Sequence, residues 1–295
     1  MINIDTSDTG AERTIYNSFA SNVLKQLRSL SYFLVLFSIT FLTACGPDDE
    51  PNVVHIDKAV FSVEDQKIFG NNLQTVFLTS PELFKPLNRA VYNEIYSHLE
   101  STFQILTQTI NVENRDEFDW ELTILEDDTK LMAFSAPGGK FFIYTGLLKY
   151  LSGEHELVAL MAHEMYYADS EEAMEVLLDE FKSVPFLLGD IFLGNEIEEA
   201  KDVAEYMSEF KYTKEQVALG DMYALQVVCP FQYNPSGLSQ FVERSEESIN
   251  VDWISHREGA EDRVNNLKAM QSECGDIEYD PTFSERYLAL VNSLP

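Results

Sequence analysis

The sequence predicts an α+β fold, mostly helical, with a small β-sheet beside one central helix. Three observations carry that expectation. Apolar residues recur at helical spacing before residue 110 and again after residue 154. Between them, Trp120 to Leu125 alternates as a strand does, and two short apolar runs flank Pro137-Gly138-Gly139. Then Glu156 to Ala168 forms a long, mostly apolar helical stretch that carries one polar pair, His163 and Glu164. Helices, a small sheet and then helices is the order of an α+β domain. A chain of 295 residues, 45% hydrophobic, can fill a sizeable core.

The elements follow in order. Ser62-Val63-Glu64-Asp65 reads as a helix N-cap with acids in the first turn, opening a helix to about Thr75. A second helix is expected after Pro86, with Leu87, Val91, Tyr92, Ile95, Leu99 and Phe103 on its apolar face. Glu126-Asp127-Asp128 supplies a turn after the first strand, and Leu131 to Ser135 and Phe141 to Thr145 are further strands. The long helix follows Ser152-Gly153. Residues 171–216 are acidic and amphipathic, with a break near Pro185-Phe186. A helix from Gly220 to Val228 ends before Cys229-Pro230, and a last one spans Glu258 to Ser272.

Twenty basic against fifty acidic residues give a net charge of −30. Such a field repels phosphate backbones and anionic lipid, so no nucleic-acid partner is expected. Residues 1–45 read as a lipoprotein signal peptide. Lys25 and Arg28 precede the apolar run Leu30 to Leu42, which is too short to span a bilayer comfortably. Leu42-Thr43-Ala44-Cys45 then resembles a bacterial lipobox, which implies cleavage before Cys45, its lipidation and a periplasmic protein tethered to membrane. Gly46 after the cysteine suits the outer membrane rather than the inner. Residues 46–60 read as an acidic tether, and 61–295 as the folded domain. Cys229 and Cys274 remain, either as a disulfide suited to an oxidising compartment or as two buried thiols.

His163-Glu164 is the front half of H-E-x-x-H, in which two histidines one helical turn apart bind zinc and the glutamate acts as general base. Tyr167 stands where the second histidine belongs. The neighbourhood adds to the pair. Ala133-Phe134-x-x-Pro137-Gly138-Gly139, Thr145-Gly146-Leu147-Leu148 and Glu156-Leu157 leading to Ala162-His163-Glu164 resemble peptidase family M48, which includes periplasmic chaperone-proteases and mitochondrial Oma-type enzymes. Downstream, Gly220-Asp221, Tyr233-Asn234-Pro235, Ser255-His256 and Arg263-Val264 resemble further motifs of that family in the same order. The resemblance covers residues 62–275 and implies a zincin-like fold. It implies zinc on His163, Glu164 as the base and His256 as a cleft-facing catalytic histidine.

The departures bear on function. Tyr167 replaces a ligand histidine, Val217 replaces a ligand glutamate, Met132 replaces an asparagine and Arg257 a proline. An aliphatic side chain cannot bind metal, and a phenol must ionise to bind well. The expectation is therefore an inactive or impaired peptidase-like domain, with zinc either absent or weakly held. It would act as a peptide-binding or chaperone-like module. Its partner would be an extended peptide or an unfolded periplasmic or outer-membrane protein, received along the edge strand Leu131 to Ser135. The alternative is an active metalloendopeptidase with a site rebuilt from His163, Tyr167, Asp221 and His256.

Overall fold

The computed structural model describes residues 61–181, 197–231, 233–245, 260–275 and 282–295, with backbone alone at 197–200 and 283. The expected signal peptide 1–45 with Cys45, the tether 46–60, the break at Pro185 and the candidate His256 lie outside the described residues. So do Ser255 and Arg257.

Helix α1 (Val63–Thr79) opens at the expected cap. Ser62 Oγ accepts the Asp65 N–H at 3.1 Å, and Asp65 Oδ2 accepts the Ser62 N–H at 3.0 Å. This reciprocal box satisfies two donors that a helix start leaves open. Helix α2 (Asn93–Thr107) begins later than its apolar periodicity suggests. The Leu87 N–H donates to the Ile124 carbonyl at 2.8 Å, and Pro86 bridges Leu125. Residues 85–87 thus partner a strand edge, and Val91 is exposed rather than part of a buried helix face.

The sheet has three strands, β1 (Glu121–Leu125), β2 (Ala133–Ala136) and β3 (Lys140–Tyr144), in the order β1-β3-β2. β1 runs parallel to β3, and β2 antiparallel to it. The β2–β3 turn requires glycine. Gly138 has φ 72°, and a Cβ there would lie 2.6 Å from the Gln66 carbonyl oxygen of α1. The alternation expected of β1 is absent, because every strand residue except Glu121 is buried.

Helix α3 (Thr145–Tyr150) follows β3 directly and leads to the central α4 (Glu154–Asp169). Beyond it come α5 (Glu172–Phe181), α6 (Ile197–Met207), α7 (Lys214–Val228), α8 (Gly237–Ser245), α9 (Ala260–Gln271) and α10 (Thr282–Val291). α7 starts well before the expected Gly220. Thr213 Oγ1 accepts the Gln216 N–H at 3.2 Å, and Gln216 Oε1 accepts the Thr213 N–H at 2.9 Å, a second capping box.

Helix α4 packs against α7, α8, β2 and β3. Its C-terminal Asp169 accepts the backbone N–H groups of Glu113 and Asn114, both at 2.8 Å, and the Tyr223 hydroxyl of α7 at 2.7 Å. Cys229 at the end of α7 is joined by a disulfide to Cys274, in the 3-10 turn after α9, with Cα atoms 5.2 Å apart. No helix among the described residues is long and apolar enough to cross a membrane.

Candidate active site

Helix α4 presents His163 and Glu164, but not to an open cleft. Fourteen of its sixteen residues are buried, so the helix has no solvent face at this point. His163 and Glu164 are each 1% exposed and Tyr167 is 0% exposed. The face that carries the pair is buried as fully as the face with Leu157, Val158, Met161 and Met165, so neighbouring elements cover both sides.

The buried side chains form a connected chain. The Tyr167 hydroxyl lies 3.0 Å from His163 Nε2, one helical turn away. His163 Nδ1 lies 3.1 Å from Asp221 Oδ1 on α7. Asp221 in turn takes a two-point bond from Arg263 on α9, with Nε donating to Oδ2 and Nη2 to Oδ1, both at 2.7 Å. Burial alone would raise the Asp221 carboxyl, but Arg263 and His163 outweigh it and pull it down to about 2. An ionised Asp221 only accepts, so Nδ1 carries the imidazole proton in the neutral ring. Nε2 is then an acceptor, and the Tyr167 hydroxyl donates to it. Gly220 allows this arrangement, because a Cβ there would lie 2.8 Å from His163 Cε1.

Glu164 takes a different surrounding. The Ser135 backbone N–H acts on its carboxyl and favours the ionised form. The register explains why that donor is available. The Tyr144 N–H donates to the Met132 carbonyl, so the residue pairs of β2 and β3 that exchange ladder bonds are 132–144, 134–142 and 136–140. Ser135 therefore points its N–H away from β3, toward α4. Burial pushes the Glu164 carboxyl well above the usual carboxylate range, with the Ser135 N–H and Arg263 opposing it. Above it lies a cavity of about 10 Å³, the room of one water molecule. Met132 and the β2 residues Ala133 and Phe134 line it with Met207, Phe210 and Tyr212. The Tyr212 ring stacks on Tyr167 at 3.5 Å between centroids.

These residues do not fit a zinc ion. A catalytic zinc takes three protein donors and keeps one open position. The Nε2 lone pair of His163 is engaged by Tyr167. Burial, then Glu164, Tyr212 and Asp221, push the Tyr167 phenol well above its ordinary value, so it stays neutral and is a poor ligand. Val217, 2% exposed on α7, has no donor atom. Asp221 is committed to Arg263. Among the described residues no group of three His, Cys, Asp or Glu is placed to hold a metal.

Residues 96–271 match the model of peptidase family M48, a span longer than half the chain. The chain belongs to peptidase family M48. It is also similar to the mitochondrial metalloendopeptidase OMA1 of Schizosaccharomyces pombe, with 35% identity over 72 residues. That alignment covers 24% of this chain and 21% of the yeast protein, so the chain matches about a fifth of that relative's length. Membership of M48 accords with the zincin-like α+β arrangement, in which α4 carries the peptidase helix motif beside the small sheet. Of the positions expected from the M48 motifs, the structure brings together His163, Tyr167, Asp221 and Arg263, while Glu164 sits apart against β2. His98 is buried and lies 3.3 Å from Glu154. His155 Nε2 is 2.9 Å from Gln240 Oε1. Sequence reasoning missed Ser135 and Tyr212. No local signal marks Tyr212, and only the strand register identifies the Ser135 donor.

Proposed function

We propose that this member of family M48 does not hydrolyse peptides and serves at a bacterial envelope membrane as a peptide-binding or chaperone-like module. Lipidated Cys45 would hold it there, the tether 46–60 would give it reach, and the outer membrane is the favoured location. The observation that carries the reading is the bond between Tyr167 and His163 Nε2, 3.0 Å long and fully buried. The nitrogen that would bind a metal accepts a neutral phenol instead. The contact series from Tyr167 through His163 and Asp221 to Arg263 joins α4, α7 and α9. Glu164 supports the same reading. Glu164 is buried against β2 and the cavity over it has room for about one water molecule, which leaves no space for a peptide beside its carboxyl.

The test is a peptidase assay on unfolded casein with zinc supplied. The expected result is intact casein in the presence of the wild-type chain. Cleavage that disappears in Glu164→Gln would sink the proposal.

A further inference from the structure

The cavity over Glu164 measures about 10 Å³, the room of one water molecule. Size alone does not fill such a space. An apolar void stays dry, and a buried water needs two to four polar partners. Glu164 and Tyr212 both line this cavity, and the rest of its wall is apolar. Tyr212, in the turn between α6 and α7, is 8% exposed. Its hydroxyl is buried with no hydrogen-bond partner among the described residues. After burial, the Glu164 carboxyl is the strongest influence that keeps this phenol protonated, so the two groups feel each other directly.

Ser135 adds a third polar group. It lies two residues from Ala133 on β2, hence on the same face of the strand as a residue that lines the cavity. Its Oγ is also buried without a partner among the described residues. Its backbone N–H acts on the Glu164 carboxyl, which keeps it beside the same group. Two hydroxyls would thus lose their hydration around one carboxyl with no return. A water removes that loss. Its oxygen accepts from the phenol, and its protons go to the carboxyl and to the serine oxygen. A carboxyl keeps an accepting oxygen in either protonation state, so this pattern does not depend on the charge of Glu164.

We propose that one buried water occupies this cavity, accepting from the Tyr212 hydroxyl and donating to the Glu164 carboxyl, with Ser135 Oγ as its third partner. It ties the turn that carries Tyr212 to α4 and β2. Protein groups alone hold it, unlike a water bound to a metal, which is lost with the metal. It sits there whether or not the domain binds a peptide elsewhere, so it goes beyond the non-hydrolytic reading.

The experiment is a crystal structure of the wild-type chain, with crystals grown in zinc and in EDTA, beside Tyr212→Phe. That variant keeps the ring and removes the hydroxyl. Water oxygen-17 relaxation dispersion then counts long-lived waters on both proteins in solution. The wild type is expected to show one water within hydrogen-bond distance of Tyr212 Oη and a Glu164 carboxyl oxygen, unchanged by EDTA. Tyr212→Phe is expected to lose that density and one long-lived water. Ala133→Val, which puts two methyl groups into the cavity and leaves every polar partner in place, is expected to lose the same water. A dry cavity in the wild type overturns the proposal, and so does an equal count of long-lived waters in all three proteins; both leave the non-hydrolytic reading standing. A water present with zinc and gone with EDTA overturns the proposal and counts against that reading as well.

Discussion

At position 167 a buried phenol stands one helical turn from the His163 imidazole and is hydrogen-bonded to its Nε2 at 3.0 Å. Tyr167 donates one bond to His163 Nε2 and is otherwise packed between Tyr166 and Tyr212. Removing its hydroxyl leaves a buried acceptor unpaired, at a cost of about 1–3 kcal/mol. Tyr167→Phe is therefore expected to lower the urea midpoint without changing the denaturant slope. Unchanged stability would mean that the bond is not formed. Asp221 makes a pH prediction. Its folded pKa, about 2, lies below the ordinary value of 3.8, so the ionised form is the one the fold prefers. The stability it contributes is present above about pH 4 and is lost as pH falls toward 2. This amounts to on the order of 2 kcal/mol for such a shift. Asp221→Asn should flatten that limb of the acid unfolding curve. Glu164 has the opposite sign. Its folded pKa is raised, so stability is greatest below the ordinary value of 4.5 and declines as pH rises. Glu164→Gln keeps an acceptor for the Ser135 N–H and removes the ionisable group. Its unfolding free energy is expected to exceed that of wild type at pH 7 and to match it at pH 4.

Among the elements, the pair α7 and α9 carries the far half of the site, and the Cys229–Cys274 disulfide joins their C-terminal ends. A bridge closing a loop with a sequence separation of 45 contributes about 4 kcal/mol when its effect is taken as lost unfolded-chain entropy. Cys274→Ser is expected to lower the melting temperature and to leave the far-UV circular dichroism of the folded state unchanged. Loss of helix content at 25 °C would show instead that α9 depends on the bridge to fold. How far these elements were legible in the sequence depends on the range of the interaction that fixes them. The start of α1 could be read because Ser62 and Asp65 satisfy each other within one turn. The box at Thr213 and Gln216 is equally local and was missed because the acidic periodicity before it masked the boundary. The start of α2 was misplaced for another reason. Leu87 belongs to the helical pattern, but its N–H is taken by Ile124, a strand residue far along the chain. At the site, the step from His163 to Tyr167 was legible as one helical turn. The Asp221–Arg263 pair and the Tyr212–Tyr167 stacking were not, because each depends on how separate elements pack.

Across the whole molecule, the net charge of −30 acts on stability as self-repulsion. Raising ionic strength from about 0.01 M to about 1 M shortens the screening length from about 30 Å to about 3 Å. The melting temperature should rise over that range, and a fall would mean that surface ion pairs outweigh the repulsion. The fold as a whole retains the M48 frame: a central helix on a small sheet, with α7 and α9 behind it. Inside that frame His163 lies between Tyr167 and Asp221, and among the described residues no group of three His, Cys, Asp or Glu is placed to hold a metal. The most direct measurement is zinc per chain after mild zinc loading, made on residues 46–295 without a histidine tag, beside the variant Tyr167→His/Val217→Glu. The wild type is expected to hold close to none and the variant close to one zinc per chain. Stoichiometric zinc on the wild type, lost in His163→Ala, would contradict the account.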